Sequence, residues 1–122
     1  MTVKETLDLV QALRPHAYPA QALLRELSSL DGRIWKEIWQ GRQGAAADMP
    51  QYTEEHMADT ALLAEEPYAQ MYPTYLMAQI ALWDGETERF NQLAMVFNGI
   101  YEAYRACISR EAPWKNGRKL FM

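Results

Sequence analysis

Apolar residues recur along this chain at intervals of three and four, so the pattern predicts helices throughout. Val3, Leu7, Val10 and Leu13 form one stripe, and Thr2 followed by Glu5 reads as a capping box that satisfies backbone N–H groups at the helix start. Pro15 ends this helix, because the residue before a proline is pushed out of the helical region. Tyr18-Pro19 restarts the chain. Leu23, Leu27, Leu30, Ile34 and Ile38 then form a second stripe, widened by Leu24, Trp35 and Trp39, that predicts a helix to about Gln40. Asp31-Gly32 in its middle is a weak point and a place for a kink, since glycine costs roughly 1 kcal/mol against alanine there.

The pattern lapses from Gly41 to about Thr60, which predicts a long loop with one helical turn near Thr53 to Met57; loops of this length tend to be functional or mobile. Glu65-Glu66-Pro67 suits a helix start, with acids at the positive end of the dipole. From Pro67 to Trp83 almost every face is apolar, as in a helix central to its fold or covered by a neighbouring subunit. Pro73 should bend it, and Asp84-Gly85 breaks it. In the last helix Phe90, Leu93, Phe97, Ile100, Tyr104 and Cys107 make a near-heptad seam, and the short turn before it predicts antiparallel packing on the preceding helix. Pro113 stops this helix. The expected fold is all-α: a small bundle of about four helices over residues 1–112, a long loop 41–60 after the second helix, and an extended C-terminal tail 113–122.

Composition narrows the function classes. The 122 residues fit one domain, and 49% of them are apolar, enough for one modest core. The formal net charge of −4 argues against a general nucleic-acid binder, which needs a concentrated basic face. The single cysteine, Cys107, cannot form an internal disulfide. No signal-peptide pattern is read at the N-terminus, and the Pro67–Trp83 stretch reads as a buried helix, not a membrane span. No lysine or arginine lies between Arg42 and Arg89, a stretch rich in Asp and Glu, whereas Lys115, Arg118 and Lys119 follow the last acid, Glu111. Such polarity lets copies of one chain attract head to tail; the alternative is a solvated acidic loop with a basic tail.

Catalytic signatures are not legible. His16 and His56 fall in separate predicted loops, and neither has a second ligand at helical metal spacing. Glu54-Glu55-His56 reads as exposed loop, Cys107 as a small buried hydrophobe on its seam, and Ser28, Ser29 and Ser109 lie in no nucleophile elbow. The sequence therefore predicts neither an enzyme nor a bound cofactor or metal. Four tryptophans and seven tyrosines exceed what so small a core needs, and aromatic residues with polar tips are enriched at interfaces. Trp114, Lys115, Arg118, Lys119, Leu120 and Phe121 suggest a tail that orders on a partner; the alternatives are a disordered end or a tail folded back on its own domain.

The run Pro67-Tyr68-Ala69-Gln70-Met71-Tyr72, Tyr75 to Ile80, Asp84 to Asn91, Phe97-Asn98 and Tyr101 to Tyr104 resembles small head–tail connector (adaptor) proteins of long-tailed bacteriophages. The N-terminal half fits the same pattern, while the long loop and the last ten residues do not. The resemblance implies a structural virion protein of the neck at the portal vertex. Copies of it would form a ring, commonly of twelve, between the portal protein and a tail-side neck or tail-terminator protein. DNA would pass through the channel without sequence-specific binding, and the C-terminal segment would engage the portal. The runner-up reading is a small all-helical protein-binding regulatory module.

Overall fold

The computed structural model describes residues 1–115. Among them are four α-helices and no strands, the all-α bundle that the apolar periodicity predicts. The helices are α1 (Val3–Leu13), α2 (Ala20–Ile34), α3 (Met71–Trp83) and α4 (Thr87–Glu111). The capping box at the start of α1 is present. The Thr2 hydroxyl accepts from the Glu5 N–H at 3.1 Å, and the Glu5 carboxylate accepts from the Thr2 N–H at 2.8 Å.

The core lies where the stripes meet. Leu23, Leu24, Leu27, Leu30 and Ile34 of α2 are buried, each burial worth about 1.5–3 kcal/mol. They meet Val3 and Val10 of α1, Leu76 and Ile80 of α3, and Phe97, Tyr101 and Tyr104 of α4 in one cluster. Helix α3 is the central element and packs against each of the other three. That is the burial a helix apolar all round requires. A cis Glu66–Pro67 bond and a 3₁₀ turn over Tyr68–Gln70 precede it. Pro73 sits in the first turn of α3, where a backbone N–H has no helical acceptor to lose, so the helix continues unbroken to Trp83.

One local expectation is refined and another corrected. The second helix runs as one through Asp31-Gly32, and the departure from regular α geometry comes later. It remains α-helical to Ile34 and then widens into a π turn over Trp35–Trp39, with Gln40 N–H donating to the Trp35 carbonyl at 2.7 Å. Met49 packs closely over Gly32: a Cβ there would lie 3.0 Å from Met49 Sδ, so the methionine would have to shift to admit one. Cys107 is half-exposed, not buried, and its thiol donates to Glu111 at 3.1 Å.

The segment after the π turn is irregular but tied down. Asp31 is fully buried, and its carboxylate accepts from Tyr52 Oη at 2.5 Å, Tyr72 Oη at 2.6 Å and the Leu63 N–H at 3.0 Å. Tyr72 Oη in turn accepts from the Ala64 N–H at 2.7 Å. Farther along, Thr60 and Met57 offer their carbonyls to the N–H groups of Val3 and Lys4 at 2.9 and 3.0 Å. Those two amides belong to the first turn of α1 and have no acceptor within the helix. The segment thus caps one helix and is fastened to another.

Candidate interaction surface

The basic-aromatic tail begins inside the domain. Trp114 pairs with Arg42 in an isolated antiparallel bridge, Gln43 N–H donates to the Pro113 carbonyl at 2.8 Å, and Lys115 N–H donates to the Gly41 carbonyl at 2.8 Å. Gly41 adopts φ +91°, a backbone state that favours glycine, and the Trp114 ring lies close above it. The Arg42 guanidinium stacks on that ring, 3.9 Å from its centroid. Its Nε and Nη1 donate to the Ile38 and Ala112 carbonyls at 2.7 and 2.8 Å. Arg42 therefore satisfies carbonyls at the ends of two helical segments while its cation covers an aromatic face. Of the six tail residues singled out from sequence, Trp114 is half-buried and engaged by its own domain, and Lys115 is exposed. Arg118, Lys119, Leu120 and Phe121 lie outside the described residues.

Beside this clamp lies an open groove of about 450 Å³ whose walls include Trp39, Tyr68, Tyr104 and Ile108, with Glu65 and Glu111 at its margin. Trp39 Nε1 donates to Tyr104 Oη at 2.7 Å, which fixes both rings. The π turn sets the direction of Trp39. It also aims Glu37 at α4, where the carboxylate accepts from Tyr101 Oη at 2.7 Å and Arg105 at 3.1 Å. The Tyr101 hydroxyl, and then Arg33 and Arg105, hold the Glu37 carboxyl below its ordinary range.

The two histidines weighed above sit apart, each in a local turn. His16 Nδ1 accepts from the Tyr18 N–H at 3.1 Å, a local turn contact. His56 occupies a turn at φ +60°. Among the described residues no group of three or more His, Cys, Asp or Glu side chains converges as metal ligands, and no helix is long and apolar enough to cross a membrane. The buried Asp31 has a carboxyl raised by burial, against the lowering effect of its three donors, but all its partners are structural.

Besides Met49, which lies over Gly32, exposed large apolar side chains among the described residues gather in two places. Leu13, at the end of α1, and Leu82 and Trp83, at the end of α3, lie at one end of the bundle. There Arg14 bridges Asp84 and Glu86 at 2.6 and 2.9 Å, and Tyr18 both donates to Asp84 and packs edge-on against Trp83. Met95 and Val96 project from the outer face of α4. Met95 and Val96 fall off the Phe90–Cys107 seam, but so does the buried Tyr101, so the seam alone did not mark them as exposed. Leu13 gave no sign either, because it continues the α1 stripe past the point where the core ends. Compared with protein-family models, curated proteins and solved structures, the chain matches none.

Proposed function

We propose that the chain is a head–tail connector subunit of a long-tailed bacteriophage, one copy of a ring between portal and tail that extends the DNA channel. The carrying observation is that the residues resembling that family, Pro67 to Arg105, form one continuous unit, the α3–α4 hairpin with its preceding 3₁₀ turn. A subunit of a closed ring needs two unlike faces, because each copy meets one neighbour with one face and the next with the other. The patches at Leu13, Leu82 and Trp83 and at Met95 and Val96 supply two unlike apolar faces on one chain. The acidic balance suits a channel that must release DNA.

The clamp at Arg42 alters which residues are available to the portal. Trp114 is occupied within its own domain, so the portal contact falls to Lys115 and to Arg118, Lys119, Leu120 and Phe121. Deleting residues 116–122 should leave helicity unchanged and abolish co-purification with the portal protein. Electron microscopy of particles carrying a tagged copy of the chain tests the reading directly: density for the tag belongs at the neck, and virions without it there refute the proposal. The aromatic groove beside Trp39 favours a second reading, a helical module that binds a protein partner. Stable soluble complexes with a non-virion protein, together with absence from particles, would select that reading.

A further inference from the structure

We infer that the outer face of α4 is a self-complementary surface that pairs two copies of this chain antiparallel about Gly99. Glycine is the poorest helix former after proline, yet Gly99 stands in the middle of a 25-residue helix. The fold itself does not require it: a Cβ at Gly99 would meet nothing within 4 Å. A glycine in that position permits another backbone to come close from outside.

The residues around it are arranged for a helix. Met95 is 75% exposed and Val96 54%, and on the other side of Gly99 the same face carries the exposed small residues Ala103 and Ala106. In an antiparallel pair centred on Gly99, Met95 of each copy lies opposite Ala103 of the other, a large side chain against a small one. Gln92 falls opposite Ala106 in the same register. Glu88 and Arg110 are each eleven residues from Gly99, close to three whole turns, so both share its face. The register that centres Gly99 sets Glu88 of one copy against Arg110 of the other, twice by symmetry. Among the described residues neither Glu88 nor Arg110 makes an ion pair. Antiparallel packing also sets the positive end of each helix dipole beside the negative end of the other. Parallel pairing would put Glu88 against Glu88 and Arg110 against Arg110, so the charges select the antiparallel sense.

Such an isologous pair closes on itself and cannot propagate into a ring. It covers the Met95–Val96 face that a ring contact would also use, so the dimer is a form of the chain that excludes the ring, and its evidence, the Gly99 register and the Glu88–Arg110 pairs, does not depend on the connector reading. Sedimentation equilibrium of the full chain tests it. The native chain should sediment at twice its 14.1 kDa mass. Glu88→Arg should weaken the dimer about tenfold, since two attractive contacts become repulsive, and Glu88→Arg/Arg110→Glu should restore it. Gly99→Leu should dissociate the dimer while raising the thermal stability of the monomer, a combination that a purely intrachain role for Gly99 does not produce. All of these positions are exposed, and circular dichroism verifies that each variant is folded. A native chain that is monomeric at 100 µM, or a dimer untouched by both Glu88→Arg and Gly99→Leu, overturns the inference.

Discussion

Replacing Asp31 tests the physical account of this fold most severely. Asp31→Ala removes the acceptor for the Tyr52 and Tyr72 hydroxyls and the Leu63 amide, at 2.5, 2.6 and 3.0 Å. Each polar group left buried without a partner costs about 1–3 kcal/mol. Tyr52 is only half-buried and can turn its hydroxyl to water, whereas Tyr72 is fully enclosed. Relief of the cost of burying the carboxylate offsets part of the loss. Two enclosed groups, the Tyr72 hydroxyl and the Leu63 amide, lose their acceptor, so after that relief the net destabilisation should be about 2–4 kcal/mol. A domain of this kind has about 5–15 kcal/mol in total, so the variant should lose a large share of its stability and unfold at a clearly lower urea concentration. Asp31→Asn keeps the shape and one acceptor oxygen and should lose about 1–2 kcal/mol, the cost of one orphaned hydroxyl.

The pH dependence gives the same experiment a sign. Burial raises the Asp31 carboxyl above its ordinary value of 3.8, outweighing the Tyr52, Tyr72 and Leu63 hydrogen bonds that lower it. A carboxyl with a raised pKa in the folded state contributes most when protonated in both states. That contribution is present below pH 3.8 and is lost as pH rises through the folded value. The stability of the native chain minus that of Asp31→Asn, from urea unfolding at a series of pH values, should therefore fall from pH 3.8 upward and then level off. Taking the difference removes the opposite trend from Glu5, Glu37 and Asp84, whose pKa values are lowered. An Asp31→Ala loss below about 1 kcal/mol, where one orphaned group alone should cost that much, or a difference that rises with pH, would refute the reasoning.

Four further outcomes can be measured. Arg42→Ala should release Trp114, shifting the Trp114-dependent part of the emission to the red and increasing its quenching by acrylamide, with helicity unchanged; an unaltered spectrum would mean that the cation does not hold the ring. Gly85→Ala should cost about 1 kcal/mol in urea unfolding, because Gly85 has φ +75° and a Cβ there meets nothing within 4 Å. Burial pushes the Tyr104 hydroxyl up to about 12 from 10.0, so stability present below pH 10 should be lost as pH rises toward 12, with absorbance at 295 nm following the ionisation. Cys107, being half-exposed, should react with a thiol reagent in the folded chain at a rate insensitive to low urea; reaction only on unfolding would contradict its placement.

The helices were legible because burial and periodicity coincide in them. The stripes Leu23–Ile34 and Phe97–Tyr104 are the faces that meet, and the acid-rich turn at Asp84–Gly85 is where the chain reverses. The π turn was not legible. Trp35, Lys36, Glu37, Ile38 and Trp39 suit an ordinary helix, and what widens the turn is tertiary: Trp39 reaching Tyr104, Glu37 reaching Tyr101, and Trp35 Nε1 donating to the Ala46 carbonyl at 2.9 Å. The clamp at the tail was hidden for a similar reason. Arg42 and Trp114 are 72 positions apart in the chain, and nothing local marks them as partners.

The most instructive position is Asp31-Gly32. Judged by helix propensity the pair is a defect, and a kink is the natural expectation. Judged by position it is the opposite. Asp31 lies four residues after Leu27 and three before Ile34, on the same face as the buried stripe, so its carboxylate has to enter the core. A carboxylate there persists only with donors gathered around it, and α2 itself has none to spare, since its amides are committed to the helix. The donors must come from elsewhere, and the chain between α2 and α3 supplies two of them, Tyr52 and the Leu63 amide, while α3 supplies Tyr72. Gly32, the next residue, is the helix surface that Met49 approaches. A polar residue on an apolar stripe was thus the visible sign that a segment without periodicity would be anchored, and it names the helix to which that segment is fastened.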